Sequence, residues 1–102
     1  MLTFTNAAEQ SAWTMAEALS EKALIAMKHA EEAYETYRSG KMAMREEFRA
    51  RGRSVAEGTI RWKATSRAQM AWSDYEFYMA QASMYNDAAA TQYAKALYLK
   101  GR

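Results

Sequence analysis

No proline occurs anywhere in the chain, and only four glycines punctuate its 102 residues. Proline and glycine are the strongest breakers of regular structure. The chain therefore has few places to end an element, and the elements between them must be long. Alanine, the best helix former, occurs 22 times, whereas leucine, isoleucine and valine together occur 8 times. A β-sandwich or barrel needs β-branched strands and Gly/Pro turns, so the predicted class is all-α. Leu, Ile, Val and Phe sum to 11 residues, a total seen in disordered chains. Disorder also goes with high net charge and few aromatics, yet here the formal net charge is +2, with 8 methionines, 7 tyrosines, 3 tryptophans and 3 phenylalanines. The expectation is one folded helical domain over 1–102, with alanine-mediated contacts.

The helix signals are sparse and legible. Asn6-Ala7-Ala8-Glu9 has the spacing of a capping box, and Ser54-Val55-Ala56-Glu57 repeats it. Gly40 suits the left-handed position after a helix end, and Gly52 marks a second end. The predicted helices cover 7–38, 42–51 and 55–99. Gly58 in the first turn of the last one weakens it by roughly 1 kcal/mol relative to alanine.

Spacing also predicts faces. Ala8, Ala12, Met15, Leu19, Ala23, Ala26, Ala30, Ala33 and Tyr37 recur at steps of three or four. In the last helix Ile60, Ala64, Ala68, Ala71, Tyr75, Tyr78, Ala82, Tyr85, Ala89, Ala96 and Leu99 do the same, interrupted by Gln92. Met70, Phe77, Met84 and Tyr98 form a neighbouring row, with Trp62, Trp72, Met79 and Tyr93 on a further flank. At 1.5 Å per residue the first and last helices would be roughly 48 and 68 Å long. The expected architecture is a long antiparallel hairpin or a three-helix bundle, with 42–51 either continuing the first helix or folding back. One partner helix covers one stripe only, so the second apolar face of the last helix predicts an interface, completed by dimerisation. The alternative is that 42–51 and the N-terminal Leu2 and Phe4 cover that face within one chain.

Charge is segregated. Residues 1–37 hold Glu9, Glu17, Glu21, Glu31, Glu32 and Glu35 against Lys22 and Lys28, a balance of −4. Residues 38–67 hold Arg38, Lys41, Arg45, Arg49, Arg51, Arg53, Arg61, Lys63 and Arg67 against Glu46, Glu47 and Glu57, a balance of +6. Arginine is the better bidentate phosphate partner, and Phe48 and Trp62 are interleaved with these bases. Arg45, Arg49, Arg51, Arg53, Arg61, Lys63 and Arg67 are therefore candidate contacts to an anionic partner, nucleic acid among them. The competing reading is internal pairing, with Glu47–Arg51 and Glu57–Arg61 in the favourable i,i+4 order. No helix-turn-helix, zinc-finger or ribonucleoprotein motif accompanies the bases.

Little in the sequence points to catalysis. There is no cysteine, hence no disulfide, thiolate metal site or thiol nucleophile. The single histidine, His29, stands in His29-Ala30-Glu31-Glu32, the reverse of the Glu-x-x-His order of di-metal bundles. Glu17/Glu21 and Glu31/Glu35 read as a solvated helix face. No glycine-rich phosphate loop is present. No catalytic residue, metal or cofactor is expected. No run of about 18 apolar residues occurs, so neither a membrane span nor membrane partnership is expected, and the absence of a signal-peptide pattern predicts a cytoplasmic protein.

Length, hairpin outline and Trp62-Lys63-Ala64-Thr65 resemble the small secreted WXG-type proteins. The Trp-x-Gly of that family's turn is missing from Arg38-Ser39-Gly40 and Arg51-Gly52-Arg53, as is a C-terminal Tyr-x-x-x-Asp/Glu, so no residue role is carried over. Motif-free, cysteine-free helical chains of this size are common among bacterial and bacteriophage accessory proteins.

The functional expectation is a non-enzymatic helical interaction protein that self-associates and engages a protein partner as regulator, inhibitor or scaffold. Its anchors would be Trp62, Met70, Trp72, Tyr75, Phe77, Tyr78, Met79, Met84 and Tyr85. The alternative is a nucleic-acid-binding protein that uses segment 38–67.

Overall fold

The computed structural model describes residues 3–100. They form three helices, α1 (Ala7–Ala50), α2 (Val55–Lys63) and α3 (Ser66–Leu99), and no strand occurs among the described residues. The all-helical expectation holds, but the boundaries differ in two places. Helix α1 runs through Ser39-Gly40 without a break, so 42–51 is neither a separate helix nor a fold-back. The predicted helix over 55–99 is two helices, interrupted at Ala64-Thr65. The third helix of the fold is 55–63. Leu2, offered as cover for the extra face, lies outside the described residues, as does Gly101.

Five of the six helix ends have a chemical cause close by in the sequence. The Glu9 amide donates to Asn6 Oδ1 at 2.8 Å, so Asn6 caps α1 as its spacing predicts. The Glu9 carboxylate accepts from the Thr5 amide at 2.9 Å and from the Thr5 hydroxyl, one residue earlier than the capping box requires. The Thr5 hydroxyl bond, and then the amide bond, hold the Glu9 carboxyl below its ordinary value. At the other end of α1, Gly52 adopts φ +72°, which L side chains disfavour. Its amide donates to Arg49 O at 2.9 Å, and the Arg53 amide donates to Phe48 O at 2.9 Å, a Schellman closure. Ser54 Oγ accepts from the Ala56 amide at 3.1 Å and starts α2. Thr65 both ends α2 and begins α3. Its hydroxyl donates to Trp62 O at 2.7 Å and accepts from the Ala68 amide at 3.1 Å.

The chain divides into two compact units. A terminal unit joins Met1–Met27 with Ala80–Arg102, and a central unit comprises Lys28–Met79. In the terminal unit every buried apolar residue is alanine: Ala12, Ala16, Ala23 and Ala26 from α1, and Ala82, Ala89 and Ala96 from α3. These recur at steps of three, four or seven, the apolar rhythm of paired helices. Small side chains let helix axes approach closely. The large rings sit beside the seam, with Trp13 edge-on to Tyr93 at 4.9 Å and Phe4 against Trp13 at 6.3 Å. Lys22 lies 5.9 Å from the Tyr85 ring, and Asn6 Nδ2 donates to Leu99 O at 3.1 Å, so the two segments run antiparallel. The expected stripe through Ala8, Ala12 and Met15 needs one shift. Ala8 is exposed, Met15 is 51% exposed and Ala16 is 0% exposed, because the close seam selects the smaller side chain.

The central unit has a different core. Ala30, Ala68 and Ala71 continue the small-residue contacts, but Phe48 and Trp62 are buried as well. Gly40 explains how a tryptophan fits. A Cβ at that position would overlap the Trp62 six-membered ring, so a glycine inside α1 makes the socket for an indole from α2. Gly58 plays the reciprocal part. A Cβ there would lie 2.9 Å from Arg45 Cα, so α2 packs with its backbone close against α1. The predicted role of Gly40, a helix stop, is replaced by this packing role. Ile60 and Ala64 are exposed, and the inward stripe of α3 begins only at Ala68.

Candidate functional site

A concave surface lies within the central unit. Tyr34, Tyr37, Arg38 and Lys41 fall on one face of α1 at helical spacing, opposite Gln69, Trp72, Ser73 and Glu76 near the start of α3. Lys63, in the last turn of α2, reaches the same space. The groove they line, with Ala68 at its base, has a volume of about 770 Å³. Its aromatic wall is interlocked. Tyr37 sits between Trp62 at 5.9 Å and Trp72 at 5.2 Å; Trp72 meets Tyr75 at 5.2 Å, and Tyr75 meets Tyr34 at 5.5 Å. All four contacts are tilted rather than stacked, and Trp72 remains 41% exposed.

The bases of segment 38–67 separate into two groups. Arg51 pairs with Glu47 and Arg53 with Glu57, each at 2.7 Å, while Arg49 lies 3.7 Å from Glu46 and Arg38 lies 3.6 Å from Glu35. The Glu47–Arg51 pairing follows the expected i,i+4 order. Glu57 turns to Arg53 instead of Arg61, since Gly52 and the Ser54 cap bring the Arg53 side chain over the first turn of α2. Among the described residues Lys41, Arg45, Arg61, Lys63 and Arg67 form no ion pair within 4 Å. Arg61 lines a smaller cleft of about 390 Å³ with Arg51, Arg53 and Phe48, where the Arg53 guanidinium stands 5.1 Å over the Phe48 ring.

The expected interface residues also separate. Trp62 is 4% exposed and serves the core of the central unit, so it is not available to a partner. Tyr75, Tyr78 and Tyr85 are half-buried, with Tyr78 ring-to-ring with His29 at 5.0 Å. Met70, Phe77 and Met84 point outward at 67%, 56% and 58% exposure, and Met79 is also exposed. Of the groove's lining, only Trp72 and Lys63 are site residues on the sequence alone; Tyr34, Tyr37, Arg38, Lys41, Gln69, Ser73 and Glu76 are missed. The 3–4 spacing of Tyr34, Tyr37, Arg38 and Lys41 was the available signal.

His29 Nδ1 lies 3.5 Å from Glu32 Oε2 on the exposed side of α1. Among the described residues no group of three His, Cys, Asp or Glu could hold a metal ion, and no helix is long and apolar enough to cross a membrane. No family model matches the chain, and neither a curated protein nor a solved structure matches it.

Proposed function

We propose that the protein is a non-enzymatic helical interaction module in which α1 and α3 pair as an antiparallel hairpin and two copies associate through the outward face of α3. The observation that carries this reading is the exposure of Met70 and Phe77 in the central unit and of Met84 in the terminal unit, at seven-residue steps along one helix. Large apolar side chains repeated on one side of a helix mark a surface built to be covered. The alanine seam supports the same conclusion. Alanine burial removes little apolar area from water, and the hydrophobic contribution scales with that area. Stability then gains from covering the second face.

A second copy carries the identical row, so a two-fold pairing through this helix covers both rows at once. Such a face also suits a helical protein partner that the module would regulate, inhibit or scaffold, and a cysteine-free chain suits the cytoplasm. The test is solution mass against concentration by sedimentation equilibrium. The wild type is expected to approach twice 11.6 kDa, and Phe77→Glu is expected to stay at the single-chain mass. A wild type that remains monomeric at about 100 μM, a concentration at which even weak specific dimers form, would overturn the reading.

A second reading, nucleic-acid binding by segment 38–67, is favoured by Arg45, Arg61, Lys63 and Arg67, which form no ion pair within 4 Å among the described residues. Arg49, Arg51 and Arg53, the densest part of that segment, are already engaged by glutamates.

A further inference from the structure

We infer that the groove of the central unit binds a nucleobase bearing a phosphate, with the base against Trp72 and Tyr37 and the phosphate among Arg38, Lys41 and Lys63. This goes beyond self-association and does not rest on it. Three features point to that chemistry. The volume of about 770 Å³ falls within the range of roughly 300–1,000 Å³ common to small-ligand sites. Trp72 keeps 41% of its surface open even though Tyr37 and Tyr75 hold it on two sides. A braced indole of this kind is a stacking platform, and every base presents a π-face to it.

The third feature is charge. Three cations line the groove against one carboxylate, Glu76. Among the described residues Lys41 and Lys63 form no ion pair within 4 Å. The Arg38 guanidinium lies 3.6 Å from Glu35 with more than half its side chain exposed, leaving it free to turn toward a stronger anion. Lys41 is half-buried, so its charge acts with less solvent screening than that of an exposed lysine. An uncharged sugar would use the aromatic wall and leave the cations idle, and a bare phosphate would do the reverse. Glu76 repels the phosphate from its own side of the groove and offers an acceptor to a sugar hydroxyl, which gives the site a direction. Gln69 and Ser73 add polar groups for the edge of a base.

A free nucleotide and a single-stranded nucleic acid both carry this chemistry. The experiment titrates the full-length protein with ADP, with a thymidine oligonucleotide and with inorganic phosphate in about 150 mM salt, following heat and tryptophan fluorescence. The expected result is saturable binding of ADP or of the oligonucleotide, weakened about tenfold or more by Trp72→Leu and by the Lys41→Gln/Lys63→Gln pair. Lys95→Gln, an exposed lysine of the terminal unit, is expected to leave affinity unchanged. Binding of ADP identifies a free nucleotide, whereas binding of the oligonucleotide alone identifies a single strand; each upholds the site. No binding of either ligand by the helical wild type at about 1 mM, inorganic phosphate binding as tightly as both, or binding undiminished in the lysine pair would each overturn it. Lys63 is exposed and Lys41 half-buried, neither in the core, so the lysine pair reports even where Trp72→Leu perturbs the fold.

Discussion

The terminal and central units use the same two long helices and solve the packing problem in opposite ways. The terminal unit is closed by side chains too small to matter individually: four buried alanines from α1 against three from α3. The central unit is closed by bulk placed against absence, an indole in the space over Gly40 and a helix backbone pressed onto another at Gly58. Their charge differs as well. Residues 28–79 carry ten bases and eight acids, whereas the rest of the chain carries four of each. The lesson is that an alanine seam fixes spacing and leaves large side chains outside, whereas a glycine socket draws large side chains in and organises a concave aromatic surface around them. The concave aromatic surface belongs to the central unit, whereas exposed large apolar side chains of α3 occur in both, Met70 and Phe77 in the central unit and Met84 in the terminal one.

The contrast can be broken first in the seam. Ala16→Leu forces added carbons between close helices and is expected to destabilise by about 3 kcal/mol. Met15→Ala, one residue away and exposed, is expected to change stability by less than about 0.5 kcal/mol. Denaturant melts of the two variants check the register directly. Next comes the socket. Gly40→Ala gains about 1 kcal/mol of helix propensity but displaces Trp62, for a net loss of about 1–2 kcal/mol. Near-ultraviolet circular dichroism of the tryptophans is expected to change in that variant and to remain native-like in Met15→Ala.

Smaller effects sharpen the comparison at the helix ends. Asn6→Ala removes the α1 cap and the bond to Leu99 O, and is expected to cost about 1 kcal/mol. Its signature is faster amide exchange confined to the first turn of α1 and the last turn of α3. The smallest effect is on pH. The Thr5 hydroxyl and amide depress the Glu9 pKa below the ordinary 4.5. A carboxyl depressed in the folded state contributes stability that is present above its unfolded pKa and lost as pH falls through its folded pKa. Glu9→Gln is therefore expected to be less stable than the wild type at neutral pH, with the gap closing in the acid range. Thermal melts across that range check it.

Much of this architecture was legible from residue spacing. The Asn6 cap, the Gly52 stop, the Ser54 cap and the inward row from Ala68 to Leu99 all follow from local chemistry that acts within a few residues. The missed features depend on what lies across the fold. Gly40 resembles a helix stop until a tryptophan from α2 is seen to need its space. Gly58 resembles a weak point until Arg45 is seen against it. Met15 outranks Ala16 on hydrophobicity, yet a close seam ranks by size. The break at Ala64-Thr65 carries neither glycine nor proline, because one threonine hydroxyl closes α2 and opens α3. The groove was missed for the same reason: Tyr37 and Trp72 are 35 residues apart in sequence, and only packing sets one beside the other.

The exposed methionines are built-in probes of the central claim. Thioether oxidation follows solvent access, and Met70 and Met84 lie on the proposed interface while Met15 and Met42 lie exposed elsewhere. Site-resolved oxidation rates, read by mass spectrometry over a range of protein concentrations, test it most directly. The account predicts that Met70 and Met84 slow together as concentration rises, while Met15 and Met42 do not. Rates at Met70 and Met84 that stay level with those of Met15 at every concentration would contradict it.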